Sequence, residues 1–387
     1  MRNDKLERLF DRMQEIVESP RNKANEQFWW PQPWYRDHWR GIPRKPIDGK
    51  VAFVVEPDNA FWHNVFGLDL RDYYSKAETH LEYQLRINDF KFEHFHDNTY
   101  YDGNLFIWFG VITELSFFEP PLIMFDNREG WLGEPPLIQT EEDIERLEMP
   151  DFYRSGFMSL IHEYYNRMQE LVNGRFPVMF PIWARSPYCM AVHLRGMQNL
   201  LMDMILNPKL VHKLMRFTTD ARKHWMAERA KFLGRPISPG HLFNDEVDFP
   251  TLSPQLYEEF VLPYEKELSR FEGGIIYWHS CGNTTGFLEL IKQTPNVGMF
   301  HIGPWTDVKK ASEVLGHLPL DVCIDPVKDM LESTPEQMKQ KLRAIKDACL
   351  GTDFAVRNDA IQVVKSVDED LLKIKEWISA AKQVLQD

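Results

Sequence analysis

From about residue 150 to the C-terminus, short apolar runs alternate with longer stretches at helical spacing, and this alternation constrains the fold more than any other feature. The spacing predicts helices at 156–173, 193–206, 208–233, 253–270, 284–293, 307–315, 335–348 and 367–385. Between them fit the strands Val178–Trp183, His241–Asp245, Ile275–His279, Met299–Ile302, Leu320–Ile324 and Asp353–Val356. Strands that alternate with helices imply a parallel sheet with crossover helices. Two further strands from the apolar runs Val51–Val55, Leu105–Val111 and Leu122–Phe125 bring the set to eight. The expected fold is therefore α/β, a (β/α)8 TIM barrel with an N-terminal elaboration, ahead of an open doubly wound sheet. No G-x-G-x-x-G or P-loop pattern follows any strand, which weakens the open nucleotide-binding option.

Local signals agree with these boundaries. Ser253-Pro254 places an N-cap and a first-turn proline before one helix, and Thr334-Pro335-Glu336-Gln337 has the spacing of a capping box before another. Residues 1–18 read as an amphipathic helix. A Pro- and Trp-rich irregular stretch runs from Trp30 to Pro46, and 47–150 mixes apolar runs with turns. With no internal repeat or Gly/Ser linker, residues 1–387 read as one barrel domain, with 1–50 as a helical and irregular N-terminal extension.

The formal net charge is −13, which disfavours phosphate backbones and anionic lipid. Neither nucleic acid nor a membrane is an expected partner. No run reaches the roughly 18 apolar residues of a membrane helix, and the N-terminus lacks a signal-peptide core, so a cytoplasmic location is expected. Four cysteines, Cys189, Cys281, Cys323 and Cys349, are too few and too far apart for a disulfide framework. The chain holds 12 Trp, 26 Phe and 13 Tyr, enough to line a pocket for a flat organic substrate as well as to fill a core.

A parallel barrel carries its active site at the C-terminal strand ends. There stand Trp183-Ala184-Arg185, Asn244-Asp245-Glu246, His279-Ser280-Cys281-Gly282-Asn283 and Cys323-Ile324-Asp325-Pro326, with His301 on the strand Met299–Ile302. In an extended chain His279 and Cys281 project to the same side, so an imidazole and a thiolate converge on one zinc ion. Cys323, at another strand end, is the preferred third ligand; Cys349 and Asp245 are alternatives. Asp245 and Glu246 are candidate catalytic carboxylates, and Trp183, Tyr188 and His301 are candidate substrate contacts. Cys189 reads as a packing residue, and the pair His94 and His96 as surface or pocket edge.

Several of these segments resemble the uroporphyrinogen decarboxylase-like superfamily. They are Ser186-Pro187-Tyr188, Leu194-Arg195-Gly196, Asn207-Pro208, Asn244-Asp245-Glu246, Ser253-Pro254, Tyr257-Glu258-Glu259-Phe260, Pro263-Tyr264, His279-Ser280-Cys281-Gly282-Asn283 and Ile324-Asp325-Pro326. The resemblance implies a (β/α)8 barrel and two functional branches. Metal-free decarboxylases carry an arginine-rich RPxWxMRQAGR motif, for which Trp34-Tyr35-Arg36 and Trp39-Arg40-Gly41 are poor substitutes. Zinc-dependent, corrinoid-linked methyltransferases carry H-x-C, matched by His279 and Cys281, and a later cysteine in the last strand region, where this chain has none beyond Cys349. The resemblance thus implies a methyltransferase that moves a methyl group between a small substrate and cobalamin carried by a separate corrinoid protein. The departure in the third ligand and the aromatic content favour an aryl methyl ether and the demethylating direction.

Overall fold

The computed structural model describes residues 4–31 and 41–387. Eight strands supply the barrel wall: β1 (Ala52–Pro57), β2 (Leu105–Phe106), β3 (Val178–Met179), β4 (Gly240–Phe243), β5 (Ile275–His279), β6 (Phe300–Ile302), β7 (Leu320–Ile324) and β8 (Phe354–Ile361). Six form one parallel sheet in the order β1-β8-β7-β6-β5-β4, and β2 pairs with β3 in parallel. The chain leaving β3 continues the ring: Phe243 N–H donates to Ala184 O at 2.8 Å, and Ser186 N–H to Phe243 O at 3.0 Å. Just before β2, Asn98 N–H donates to Phe53 O on β1 at 3.0 Å, which brings the two ends of the sheet together. The architecture is a TIM barrel. β5 and β7 are buried at every position, as strands covered on both faces require.

The expected strands β5 and β7 coincide with the observed ones, and the two capping signals act as read. Ser253 Oγ accepts from Leu256 N–H at 3.2 Å, and Thr334 and Gln337 form a reciprocal capping box. Two expected helices are each divided. The stretch 193–206 becomes Pro187–Arg195 and Met197–Leu206, separated by Gly196 at φ 85°, a left-handed conformation no helix interior tolerates. The stretch 253–270 breaks between Pro254–Phe260 and Leu262–Glu272, where Pro263 has no N–H to continue the ladder. Leu122–Ile123 lies outside the barrel, paired antiparallel with Trp131–Leu132.

The 18-residue helix Ala77–His94 has no counterpart in the sequence reading. Its apolar residues do not fall on one stripe because it is covered on several sides. Leu81 and Leu85 enter the core, Ile87, Asn88 and Lys91 face a cavity, and Asp89 takes an ion pair from Arg12 of the N-terminal helix Asp4–Glu18. That N-terminal helix buries Leu6, Phe10, Met13 and Ile16, the stripe its spacing predicts. Among the described residues, no helix is long and apolar enough to cross a membrane.

Candidate metal centre and its cavity

Register places the central cluster. Phe243 of β4 is the parallel partner of His279 of β5, and Asn244 N–H donates to His279 O at 2.7 Å. Two residues beyond each strand end, Asp245 and Cys281 therefore meet. Asp245 Oδ1 lies 3.1 Å from His279 Nε2, and Cys281 Sγ lies 3.3 Å from the same nitrogen. Cys281 N–H donates to Asp245 Oδ1 at 3.2 Å. One nitrogen, one sulfur and one oxygen lie within 4.8 Å of one another, a donor set that suits zinc. Burial alone would raise the Asp245 carboxyl, but the neighbouring His279, its hydrogen bond and the Arg185 guanidinium hold it well below the usual carboxylate range. It is thus an anion, as a ligand must be. Gly282 allows the turn: a Cβ there would stand 2.6 Å from Asp248 Cβ.

The other ring nitrogen of His279 is also engaged. Nδ1 lies 3.4 Å from the Tyr277 hydroxyl, which donates to Asp321 Oδ2 at 2.6 Å. Asp321 in turn accepts from Arg357 Nε at 3.0 Å, and Arg357 Nη1 pairs with Glu56 at 2.9 Å. A buried polar chain thus runs from His279 through β7 and β8 to the end of β1.

The three donors line a cavity of about 460 Å3. Trp62, Phe106, Trp108, Phe180 and Phe243 contribute aromatic wall. Among the described residues, six carboxylates line it, Glu56, Asp58, Glu114, Glu129, Asp245 and Asp359, against two cations, Lys91 and Arg185. Burial pushes Asp58 up to about 6 and raises Glu129 and Glu114 as well.

Not every residue singled out from sequence reaches this cavity. Cys323 is buried on β7 and is not part of the donor group; Asp245 occupies the third place expected of it. Cys349 caps the helix Pro335–Ala348, just ahead of β8 and so at the opposite end of the barrel, its buried thiol pushed up to about 12. Trp183 is fully buried outside the cavity, packed on Phe117 and Trp225, because Ala184 and Ile182 take the inward positions. Tyr188 is buried in the helix Pro187–Arg195, away from the lining. His301 stacks on His279 with ring centroids 4.0 Å apart, and its Nδ1 lies 2.8 Å from Ser280 O, so it braces the cluster from behind. Glu246 turns away from the cavity to His193 Nε2 at 2.7 Å. His94 and His96 are exposed.

Cys189, His193 and Glu246 form a second close group, with Cys189 fully buried as a packing residue is. Arg185 Nη1 sits 2.7 Å from Cys189 Sγ, however, and a guanidinium on the sulfur opposes a second cation there. Sequence reasoning missed this group, Tyr277, Asp58 and Glu129. Tyr277 was within reach of it, two positions before His279 and so on the same side of the strand. Glu129 lies in a connecting segment with no local signature.

The sequence profile described as Uroporphyrinogen decarboxylase (URO-D) matches residues 104–383. A protein named Uroporphyrinogen decarboxylase from Thermodesulfovibrio yellowstonii is 26% identical over 257 residues, 64% of this chain and 71% of that protein. A solved structure described as a methyltransferase from Methanosarcina mazei superposes with a TM-score of 0.62 at 16% identity, covering 87% of this chain and 95% of that one, a likeness of fold.

Proposed function

The chain belongs to the uroporphyrinogen decarboxylase (URO-D) family, and from that premise we propose that it is a zinc-dependent methyltransferase, exchanging a methyl group between a small aromatic ether and the corrinoid of a separate protein. One observation carries the reading: His279, Cys281 and Asp245 bring nitrogen, sulfur and oxygen donors together on the wall of an aromatic cavity at the C-terminal ends of β4 and β5. Zinc held there supplies Lewis acidity towards an ether oxygen or a thiol.

The protein's own groups do the rest. Asp245 and a Cys281 thiolate bring two negative charges to the ion, and His279 brings a neutral nitrogen. Tyr277 accepts from His279 Nδ1–H, which leaves the Nε2 lone pair to ligate the ion beside Asp245 and Cys281. Trp62, Trp108 and Phe180 seat a flat ring and exclude water from it.

A metal-free decarboxylase is the second reading, favoured by the name of the Thermodesulfovibrio relative. Such a substrate brings several carboxylates, which need cationic partners. Among the described residues, the cavity offers six acids to two cations. Trp34-Tyr35-Arg36 and Trp39-Arg40, the stretches compared with the arginine-rich motif, lie outside the described residues.

Metal content decides between the two readings. Purified protein is expected to hold about one zinc per chain. Cys281→Ser should lose it, while Cys323→Ser and Cys349→Ser keep it. A wild-type protein free of zinc after preparation in zinc-supplemented buffer would remove the methyltransferase reading.

A further inference from the structure

The geometry points to a substrate that carries a positive charge at the end away from its methyl group, an amine or quaternary ammonium seated against Asp58 and Glu129. This rests on the methyltransferase reading for which end of the substrate reacts, and goes beyond it in naming what the other end must be.

Three observations converge. The first is position. In the strand order β1-β8-β7-β6-β5-β4, β1 stands four places from β5, which in an eight-stranded ring is the opposite side. Asp58 directly follows β1, and Glu129 reaches the same wall, taking 3.0 Å from Asn59 Nδ2. A ligand that touches both the His279–Cys281 pair and these two acids therefore spans the barrel mouth.

The second is charge. Glu56 is matched by Arg357, Asp245 by His279, and Glu114 by Arg185 and Arg222. The hydrogen-bond donors to Asp58 and Glu129 are neutral. Asp58 accepts from the Phe61 and Ala60 amides and Gln362; Glu129 accepts from the Val111 amide, Asn59 and Trp108. Arg185 acts on Glu129 only through space, and Lys91 is the other cation on the lining among the described residues. Desolvation raises both carboxyls and Glu129 adds to the effect on Asp58, so a bound cation relieves a repulsion that Asp58 already carries.

The third is the kind of wall. Trp62 lies one helical turn beyond Asp58, and Trp108 is hydrogen-bonded to Glu129, so both acids stand beside an indole that lines the same cavity. Indoles beside carboxylates suit an organic cation, which gains from an aromatic wall as well as from the charge. A hydrated metal ion would gain little from such a wall.

The test uses three ring-matched methyl ethers of different charge: 4-methoxybenzylamine, 4-methoxybenzyl alcohol and 4-methoxybenzoate. Each is titrated calorimetrically into the zinc-loaded full chain at pH 7.5, with no corrinoid present. The amine is expected to bind at least tenfold more tightly than the alcohol, with the benzoate weakest. Asp58→Asn and Glu129→Gln, each near-isosteric, should cut the amine's advantage at least threefold and leave the alcohol unchanged; thermal unfolding confirms that each variant folds. The inference is overturned if no analogue binds, if the benzoate matches the amine, or if the amine's advantage survives in both variants. Its failure is distinct from that of the methyltransferase reading. Zinc present without charge preference sinks only this inference, whereas an amine preference in a chain that binds no zinc supports a cation seat at Asp58 and Glu129 and sinks the methyltransferase reading.

Discussion

The Oδ1 atom of Asp245 serves two groups at once, accepting from the Cys281 amide while lying 3.1 Å from His279 Nε2. An Asn in its place keeps the shape and an acceptor but loses the charge that a zinc site uses. Asp245→Asn is therefore expected to weaken zinc at least tenfold, read by competition with a chromophoric chelator; unchanged affinity would remove Asp245 from the ligand set. A different carboxylate makes a pH prediction. Asp58 is pushed up to about 6 by burial, with Glu129 adding to the effect against the lowering influence of the Phe61 amide. A carboxyl that binds its proton more tightly in the folded chain than in the unfolded one favours folding below about pH 4. That contribution is lost as pH rises to about 6, a difference of about 3 kcal/mol. Asp58→Asn keeps the N-cap acceptor and removes the charge. It should raise stability at pH 7 and leave it little changed at pH 4, as measured by denaturant unfolding at the two values. Equal effects at both would show that the Asp58 charge is not under strain. The two carboxylates differ in legibility. Asp245 stands in a strand-end motif beside the H-x-C pair in register, whereas the stress on Asp58 comes first from burial, with Glu129, 71 residues along, adding to it, and neither leaves a local trace.

Elements carry the support behind the ligands. Tyr277, Asp321 and Arg357 come from β5, β7 and β8, and their hydrogen bonds tie His279 to the frame of the barrel. Partners of this kind to a ligand histidine typically contribute 10- to 100-fold in metal affinity. Tyr277→Phe should lower zinc affinity by an amount in that range. Asp321 retains Arg357, so the melting temperature should change little; a large fall in stability with zinc affinity intact would make the hydroxyl structural only. Strand-end chemistry was legible because β5 and β7 are short, mainly apolar runs of strand length, and because alternation fixes which residues share a side. Trp183 was misplaced by the same rule applied one position out: β3 is regular only over Val178–Met179, so the inward face beyond it cannot be counted from the sequence. The helix Ala77–His94 escaped for a different reason, being covered by the N-terminal helix, the core and the cavity lining together, which erases a one-sided stripe.

At the scale of the molecule, the seam between β1 and β2 is closed largely by side chains. Asp97 Oδ2 accepts from Val55 N–H at 2.8 Å, and Asn98 Oδ1 accepts from Phe53 N–H at 3.1 Å. Asn98 N–H returns the bond to Phe53 O, and Gln386 near the C-terminus donates to the same Asn98 oxygen. Two polar side chains thus stand in for a strand where β1 would otherwise show an edge. No periodicity announces such a seam, because Asp97-Asn98 reads as a turn in any sequence. The seam also holds the end of β1, from which Glu56 and Asp58 reach the cavity. Removing the Asp97 carboxylate leaves the Val55 amide, which is fully buried, without its acceptor, at a cost of about 1–3 kcal/mol for that group alone. Asp97→Ala should therefore destabilise the chain by at least that amount and weaken ligand binding in the cavity, while Asp97→Asn, which keeps an acceptor, should lose less. Chemical denaturation of the three proteins gives the order. If Asp97→Ala unfolds at the same denaturant concentration as the wild type, the barrel is closed by backbone packing rather than by this pair, and the β1 wall of the cavity does not depend on it.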